Sequence, residues 1–350
     1  MSYSVDPDIT VAHTLPGAFY TDSVAYERMK DHVFTRSWQW LGTLDDVAQP
    51  SSLAPRMMLP GYLDEPLLLA RDAAGDLRCM SNVCTHRGNI LVNAPCRAKE
   101  IRCSYHSRRF DLSGRMTFMP EFKDARNFPS PTDNLPQVTF AEWAGQAFAS
   151  LAPRASFDSF FGDALASVAS DPVTQLTYDD SRDRDFEVHA NWALYVENYL
   201  EGFHIPFVHA GLNEVVDYTS YASELRRYSN LQLARDADGE IAARYWWIFP
   251  NLMLNFYPWG LSLNVVEPLA IDLTRVIFRS FVWDESKLET GAGAALDRVE
   301  AEDEAIVEGV QRGVRSRLYK AGRYSPTRER GVHHFHRLLC EFLGDIKSEP

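Results

Sequence analysis

Hydrophobic positions change their period several times along the 350 residues. Residues 20–37 repeat at helical spacing, with Asp22 or Ser23 placed to cap the first turn. From Trp38 to Pro153 short apolar runs (66–70, 101–103 and 146–151) alternate with Gly, Pro, Asn and Asp. That pattern predicts a small β-rich domain, with hairpin turns at 72–76 and 111–114. Helical spacing returns at 191–203, and Pro206 is expected to break it. Four β-type runs follow at 241–249, 252–257, 261–266 and 275–283, separated by turn residues, and predict an antiparallel meander. A loop is expected over 286–293. A long helix should then cover 294–320, with Leu296, Val299, Ile306, Val310 and Val314 as its apolar stripe, and a last helix 332–343. There is no internal repeat.

Composition narrows the class. Hydrophobic residues at 45% and charged residues at 24% suit a soluble globular chain. No apolar run approaches the roughly 18 residues of a membrane helix. The polar first ten residues lack the pattern of a secretory signal, so the expected location is cytoplasmic. A net charge of −13 argues against nucleic acid and anionic membranes as partners. Five cysteines, an odd number, direct attention to metal ligation rather than to disulfides. Cys79, Cys96 and Cys340 fall outside any ligand spacing and read as incidental thiols.

The first chemical constellation is Cys84-Thr-His86 and, after 16 residues, Cys103-Ser-Tyr-His106. Thiolate and imidazole suit either zinc or iron. Zinc fingers place both cysteines before both histidines. Two loops that each offer one Cys and one His instead fit a two-iron cluster with Cys₂ on one iron and His₂ on the other. The second constellation is Glu201-Gly-Phe-His204-Ile-Pro-Phe-Val-His209. Glu201 and His204 are spaced to share a helix face, and a break at Pro206 could return His209 to the same site. Two histidines need a carboxylate to complete the facial triad of a mononuclear Fe(II) oxygenase. Asp303 falls on the apolar stripe of the long helix, where an unpaired carboxylate is costly and a metal would account for it. Glu300, Glu304 and Glu308 form a separate row that reads as solvated; Glu302 is ambiguous.

These residues carry a resemblance. Asn82-Val-Cys84-Thr-His86-Arg87-Gly88 and Cys103-Ser-Tyr-His106, followed by Phe110-Asp-Leu-Ser-Gly114, resemble the Rieske motif of ring-hydroxylating oxygenase α subunits. Residues 191–209 and 302–313 are similar to that family's catalytic domain. Glu201 and the Val310-Gln-Arg-Gly-Val-Arg-Ser316 stretch resemble the carnitine monooxygenase branch. The family usually follows its last Rieske His with Gly-Trp, where this chain has Ser107-Arg108. That departure leaves the cluster's potential and partner surface open.

The resemblance implies an α+β chain. It would comprise an N-terminal helical segment (1–37) packing on the catalytic domain, a Rieske [2Fe–2S] domain (38–155) and a helix-grip, START-like catalytic domain (156–350). Cys84, His86, Cys103 and His106 would hold the cluster, and His204, His209 and Asp303 the mononuclear Fe(II). Glu201 would link His204 or His209 to a Rieske His of a neighbouring subunit, His106 in preference to His86, in a homotrimer. A separate NAD(P)H-dependent reductase, with or without a ferredoxin, would supply electrons for O₂ activation. The Glu bridge and the acidic charge favour a quaternary ammonium or N-methyl substrate; rings of Tyr245-Trp-Trp247 and Phe256-Tyr-Pro-Trp259 could box such a cation, although core or trimer packing is the commoner role of any single one. Aromatic ring dihydroxylation is the alternative, and a non-catalytic Rieske carrier with a ligand-binding domain the alternative of another class. His333-His-Phe-His336 reads as packing and hydrogen bonding rather than as a third metal site.

Overall fold

A computed structural model describes residues 3–209, 222–236, 238–288 and 296–344, without the side chains of 296–298. Most of the loop expected at 286–293 and the expected helix start at 294 lie outside these residues. The chain folds as two units, 38–153 and 1–37 with 154–350. Each holds antiparallel sheet, and the second also carries the long helices, an α+β architecture.

The 38–153 unit is built from short strands. β1 (Gln39–Thr43), β10 (Gln146–Ser150) and β9 (Thr139–Trp143) form one sheet. β4 (Leu77–Ser81), β3 (Glu65–Arg71), β2 (Ser52–Met58) and β5 (Cys96–Arg97) form the second. β6 (Ile101–Arg102), β7 (Arg109–Phe110) and β8 (Met116–Phe118) form the third. The turn at 72–76 joins β3 to β4, and Gly75 there has φ +96°. Leu53, Leu68, Met80, Ile101, Phe110 and Leu112 pack with Cys84 and Cys103 in one core cluster, which fixes both cysteine loops against the same apolar base.

In the other unit a seven-stranded sheet runs in the order β11-β17-β16-β15-β14-β13-β12. Its strands are β11 (Thr177–Val188), β12 (Ala222–Leu225), β13 (Ser229–Arg235), β14 (Ile241–Ile248), β15 (Leu252–Tyr257), β16 (Gly260–Ala270) and β17 (Leu273–Val282). β14 to β17 are the expected meander. The first three strands escape the sequence pattern; β11 reads Thr-Tyr-Asp-Asp-Ser-Arg-Asp-Arg-Asp and lies at the sheet edge, where polar residues are tolerated.

Helices α1 (Ser23–Met29), α2 (Phe157–Ser167), α3 (Trp192–Tyr199), α4 (Ile205–Val208), α5 (Leu296–Val314) and α6 (Arg330–Gly344) complete this unit. Asp22 caps α1, accepting from the N–H groups of Val24 and Ala25. Residues 1–37 dock on the rest of the unit through polar and aromatic side chains. The Tyr20 hydroxyl donates to Glu197 Oε1 at 2.7 Å, Arg28 donates to the Leu343 carbonyl at 2.6 Å, and Phe34 meets Trp192 edge-on at 5.0 Å.

Three expectations are corrected. α5 ends at Val314, not at 320. Its buried face is Glu300, Val307, Gln311 and Val314, while Ile306 and Val310 are 44% and 43% exposed. Glu300 is therefore not on a solvated row. Gln311 Oε1 accepts from the Asn191 N–H at 2.8 Å, so the amide oxygen of this buried side chain has a partner. Pro206 breaks nothing: α3 has already stopped at Tyr199, and Pro206 sits in the first turn of α4, where its missing N–H is not needed.

Candidate metal centres

In the 38–153 unit Cys84 and Cys103 open two loops that close in the same way. The Cys84 N–H donates to the Asn89 carbonyl at 2.8 Å and the Gly88 N–H to the Cys84 carbonyl at 3.0 Å. The Cys103 N–H likewise donates to the Arg108 carbonyl at 2.8 Å and the Ser107 N–H to the Cys103 carbonyl at 3.0 Å. The fifth residue of each loop must be left-handed, and Gly88 has φ +72° and Ser107 φ +59°. Glycine suits that conformation, whereas Ser107 holds it at a cost of about 1–2 kcal/mol.

Both thiols are buried and free. Burial opposes it, but the N–H groups of Tyr105 and His106 hold the Cys103 thiol below its ordinary range. The rings of His86 and His106 lie 4.8 Å apart, and His86 Nδ1 is buried with no hydrogen-bond partner. Burial, His106 and Arg108 hold His86 below its usual pKa, which favours the neutral ring that binds a metal. Two thiolates, two imidazoles and an orphaned ring nitrogen fit a [2Fe–2S] cluster.

Arg108 is 2% exposed. It donates to Asp133 Oδ1 at 2.6 Å and to the Asp133 carbonyl at 3.2 Å, and its guanidinium lies 5.7 Å from the rings of both Phe110 and Phe128. The Thr85 hydroxyl donates to the same carbonyl at 2.7 Å, so Asp133 ties both cysteine loops together. Arg108→Ala should lower the stability of this unit by about 3 kcal/mol, the cost of breaking a largely buried ion pair. The measurement is the denaturant midpoint for loss of the cluster's visible absorbance; an unchanged midpoint would show that the pair contributes nothing.

In the second unit Asn191 caps α3 through its side chain, and Trp192, Ala193 and Val196 bury the inner face. The chain then loosens over residues 200–203, Glu201 and Gly202 among them. Glu201 and His204 consequently do not share a helix face; both lie outside α3. His204 caps the start of α4 and His209 its end, so one helical turn separates the two imidazoles. Their Nε2 atoms are 3.1 Å apart. Asp303 Oδ1 arrives from α5, 3.1 Å from His209 Nε2 and 3.4 Å from His204 Nε2. Among the described residues this is the group of three or more ligand atoms that converges on one point. Two imidazole nitrogens and one carboxylate oxygen match the donor set of a facial-triad iron.

Carboxylates steady both rings from behind. Glu201 Oε1 accepts from His204 Nδ1 at 2.7 Å, and Glu302 Oε2 from His209 Nδ1 at 2.7 Å. This fixes the tautomers that turn Nε2 towards Asp303. Asn198 donates to Asp303 Oδ1 at 2.5 Å. Sequence reasoning left Glu302 ambiguous and missed Asn198, although Asn198 lies three residues before Glu201. Although burial opposes both shifts, the mutual contacts raise His204 to about 9 and lower Asp303 to about 2.

The triad lines a cavity of about 120 Å³. Gln232, Tyr245, Asn255, Ser262 and Ser280 pair in register across five strands, and the first three line this cavity together with Tyr257, Asn264 and Phe278. Tyr195, Tyr199 and Glu300 also line it. The Tyr199 hydroxyl donates to Asn255 Oδ1 at 2.6 Å and Gln232 Nε2 donates to the Tyr199 carbonyl at 2.7 Å, pinning the end of α3 to the sheet. Of the aromatic runs only Tyr245 and Tyr257 reach the cavity; the Trp246 indole bonds Ser167 and Trp247 packs on Phe335. The histidines of α6 do not converge. His333 bonds the Asp6 carbonyl, His336 bonds Tyr324, and His334 sits edge-on to Trp247.

Residues 38–129 match the Rieske [2Fe-2S] domain, and residues 173–235 and 217–345 match the ring hydroxylating alpha subunit (catalytic domain). Choline monooxygenase of Arabidopsis thaliana is 28% identical over 95% of this chain and 84% of that protein. The carnitine monooxygenase oxygenase subunit of Escherichia coli K12 is 28% identical over 95% of both. The fold is shared with a solved quaternary ammonium Rieske monooxygenase, described with inter-subunit electron transfer, at TM-score 0.78 and 24% identity over 98% of this chain and 100% of that one. Among the described residues no helix is long and apolar enough to cross a membrane. Catalytic subunits of this family take electrons from a separate reductase, and their cofactors are a Rieske cluster and a mononuclear iron. With both domain families matched in sequence and the donor sets for both metal centres in place, the chain belongs to the Rieske non-heme iron oxygenases as a catalytic α subunit.

Proposed function

We propose that this oxygenase hydroxylates a small quaternary ammonium or N-methyl compound. Cys84, His86, Cys103 and His106 hold the cluster in residues 38–155. His204, His209 and Asp303 hold the iron in residues 156–350, on which residues 1–37 pack. When bound, the iron supplies O₂ activation and the cluster supplies single electrons. The balance is one C–H bond and O₂, with two electrons and two protons, giving C–OH and water. A hydroxylated N-methyl group then leaves as formaldehyde. The enzyme works as a cytoplasmic homotrimer with a separate NAD(P)H-dependent reductase, directly or through a ferredoxin.

The observation that carries the substrate class is the cavity itself. At about 120 Å³ it lies below the roughly 300–1,000 Å³ of drug-sized pockets and suits a compact molecule. Tyr195, Tyr199, Tyr245 and Tyr257 line it, and a cation seated over any one of their rings would gain about 0.5–2 kcal/mol. The names of the choline and carnitine monooxygenases support the same class.

O₂ uptake and formaldehyde release, followed with a surrogate reductase across choline, carnitine, betaines and aromatic acids, should reveal turnover of the ammonium compounds. Turnover of arenes alone, with a cis-diol as product, would overturn the reading in favour of ring dihydroxylation.

A further inference from the structure

The cavity wall contains two buried side-chain oxygens with no hydrogen-bond partner, Glu300 Oε1 and Gln232 Oε1. Glu300 is 4% exposed and Gln232 1%. The second Glu300 oxygen accepts from the Tyr195 hydroxyl at 2.7 Å, which fixes the carboxyl in place. Gln232 Nε2 donates to the Tyr199 carbonyl, so the amide orientation is set and its oxygen is the free end. Buried polar atoms are rarely left unpaired, and an unmade hydrogen bond there costs about 1–3 kcal/mol. Gln232 Oε1 is an acceptor; burial pushes the Glu300 carboxyl up to about 8, so its Oε1 becomes an anionic acceptor when a cation seated beside it displaces the proton. Glu300 also lies one helical turn before Asp303, with about 5–6 Å expected between their Cβ atoms, so a group held by Glu300 sits close to the iron ligands.

Resting on the ammonium reading above, we infer that Glu300 and Gln232 are its specificity determinants. Glu300 is the counter-ion of the ammonium group, and Gln232 Oε1 accepts a hydrogen bond from a hydroxyl on the same molecule. The substrate is then a small hydroxylated ammonium compound without a carboxylate. A carboxylate there would face the negative charge of Glu300, with Asp303 and Glu201 in the same wall.

The test is calorimetric binding to the holoenzyme, together with steady-state kinetics. The ligands are choline, its neutral isostere 3,3-dimethyl-1-butanol, tetramethylammonium and carnitine. Choline should bind at least about tenfold tighter than the isostere and than carnitine. Glu300→Gln, which keeps the shape and the Tyr195 contact, should erase the advantage over the isostere and raise KM with little change in kcat. Gln232→Leu should weaken choline and the isostere by more than it weakens tetramethylammonium. Carnitine binding as tightly as choline, or a Glu300→Gln variant that keeps choline affinity and loses only kcat, would overturn the inference while leaving the ammonium reading standing. If none of the three ammonium compounds binds or turns over and arenes do, both fail.

Discussion

Asp303→Ala is expected to lower the iron content from about three to about two per chain and to reduce turnover to background, with the cluster's visible spectrum unchanged. The reason is positional. Asp303 Oδ1 is the carboxylate oxygen that meets both Nε2 atoms, and alanine leaves two imidazoles with no anionic ligand. Glu302→Gln makes the contrast. Glu302 touches the far nitrogen of His209, so its loss should weaken iron affinity or activity by about 10–100-fold without abolishing either. Iron analysis beside O₂ uptake checks both variants. If Asp303→Ala kept about three irons and full activity while Glu302→Gln lost them, the ligand would be Glu302.

Asp303 also shows how far the sequence could be read. Its place on the inner face was legible, because a carboxylate in register with Val299 needs a partner. The rest of that face was not. Hydropathy assigned Ile306 and Val310 to the interior, yet α5 buries Glu300, Val307 and Gln311 instead. A helix lying over a polar cavity buries groups that find partners in other elements, here Tyr195 and the Asn191 N–H. Those partners come from residues about a hundred positions away, beyond the reach of any local pattern. The same limit explains Asn198, whose role depends on Asp303, and the substrate wall, whose register joins β13 to β17.

The two candidate metal centres could be proposed from the sequence for a different reason. Cys84, His86, Cys103 and His106 come from two short loops, and His204 and His209 from one turn of helix, so chemistry and spacing are local. The way His204 meets His209 was still misread. Not a proline kink but a second helix, starting at His204 and ending at His209, brings their Nε2 atoms to 3.1 Å.

Glu201→Gln should separate electron delivery from metal binding. Glu201 Oε1 holds His204 Nδ1 at 2.7 Å, and Oε2 is taken up by the N–H groups of Phe203 and His204. The carboxylate is thus fixed behind the proposed iron ligand His204 and still partly exposed, with 15% of its side chain accessible. In the proposed trimer that edge would face His106 of a neighbouring copy, its charge coupling the two imidazoles. Glutamine keeps the size and can still accept from His204, but it removes the charge. The variant should retain about three irons per chain and a cluster that the reductase still reduces. Reoxidation of that cluster by O₂ and substrate, followed by stopped-flow absorbance, should slow by about a hundredfold. Glu201→Asp keeps the charge with a shorter reach and should recover part of the rate. Loss of iron from Glu201→Gln would instead make Glu201 an orienting group for His204 alone. Unchanged reoxidation with full iron would show that electrons cross the interface without it.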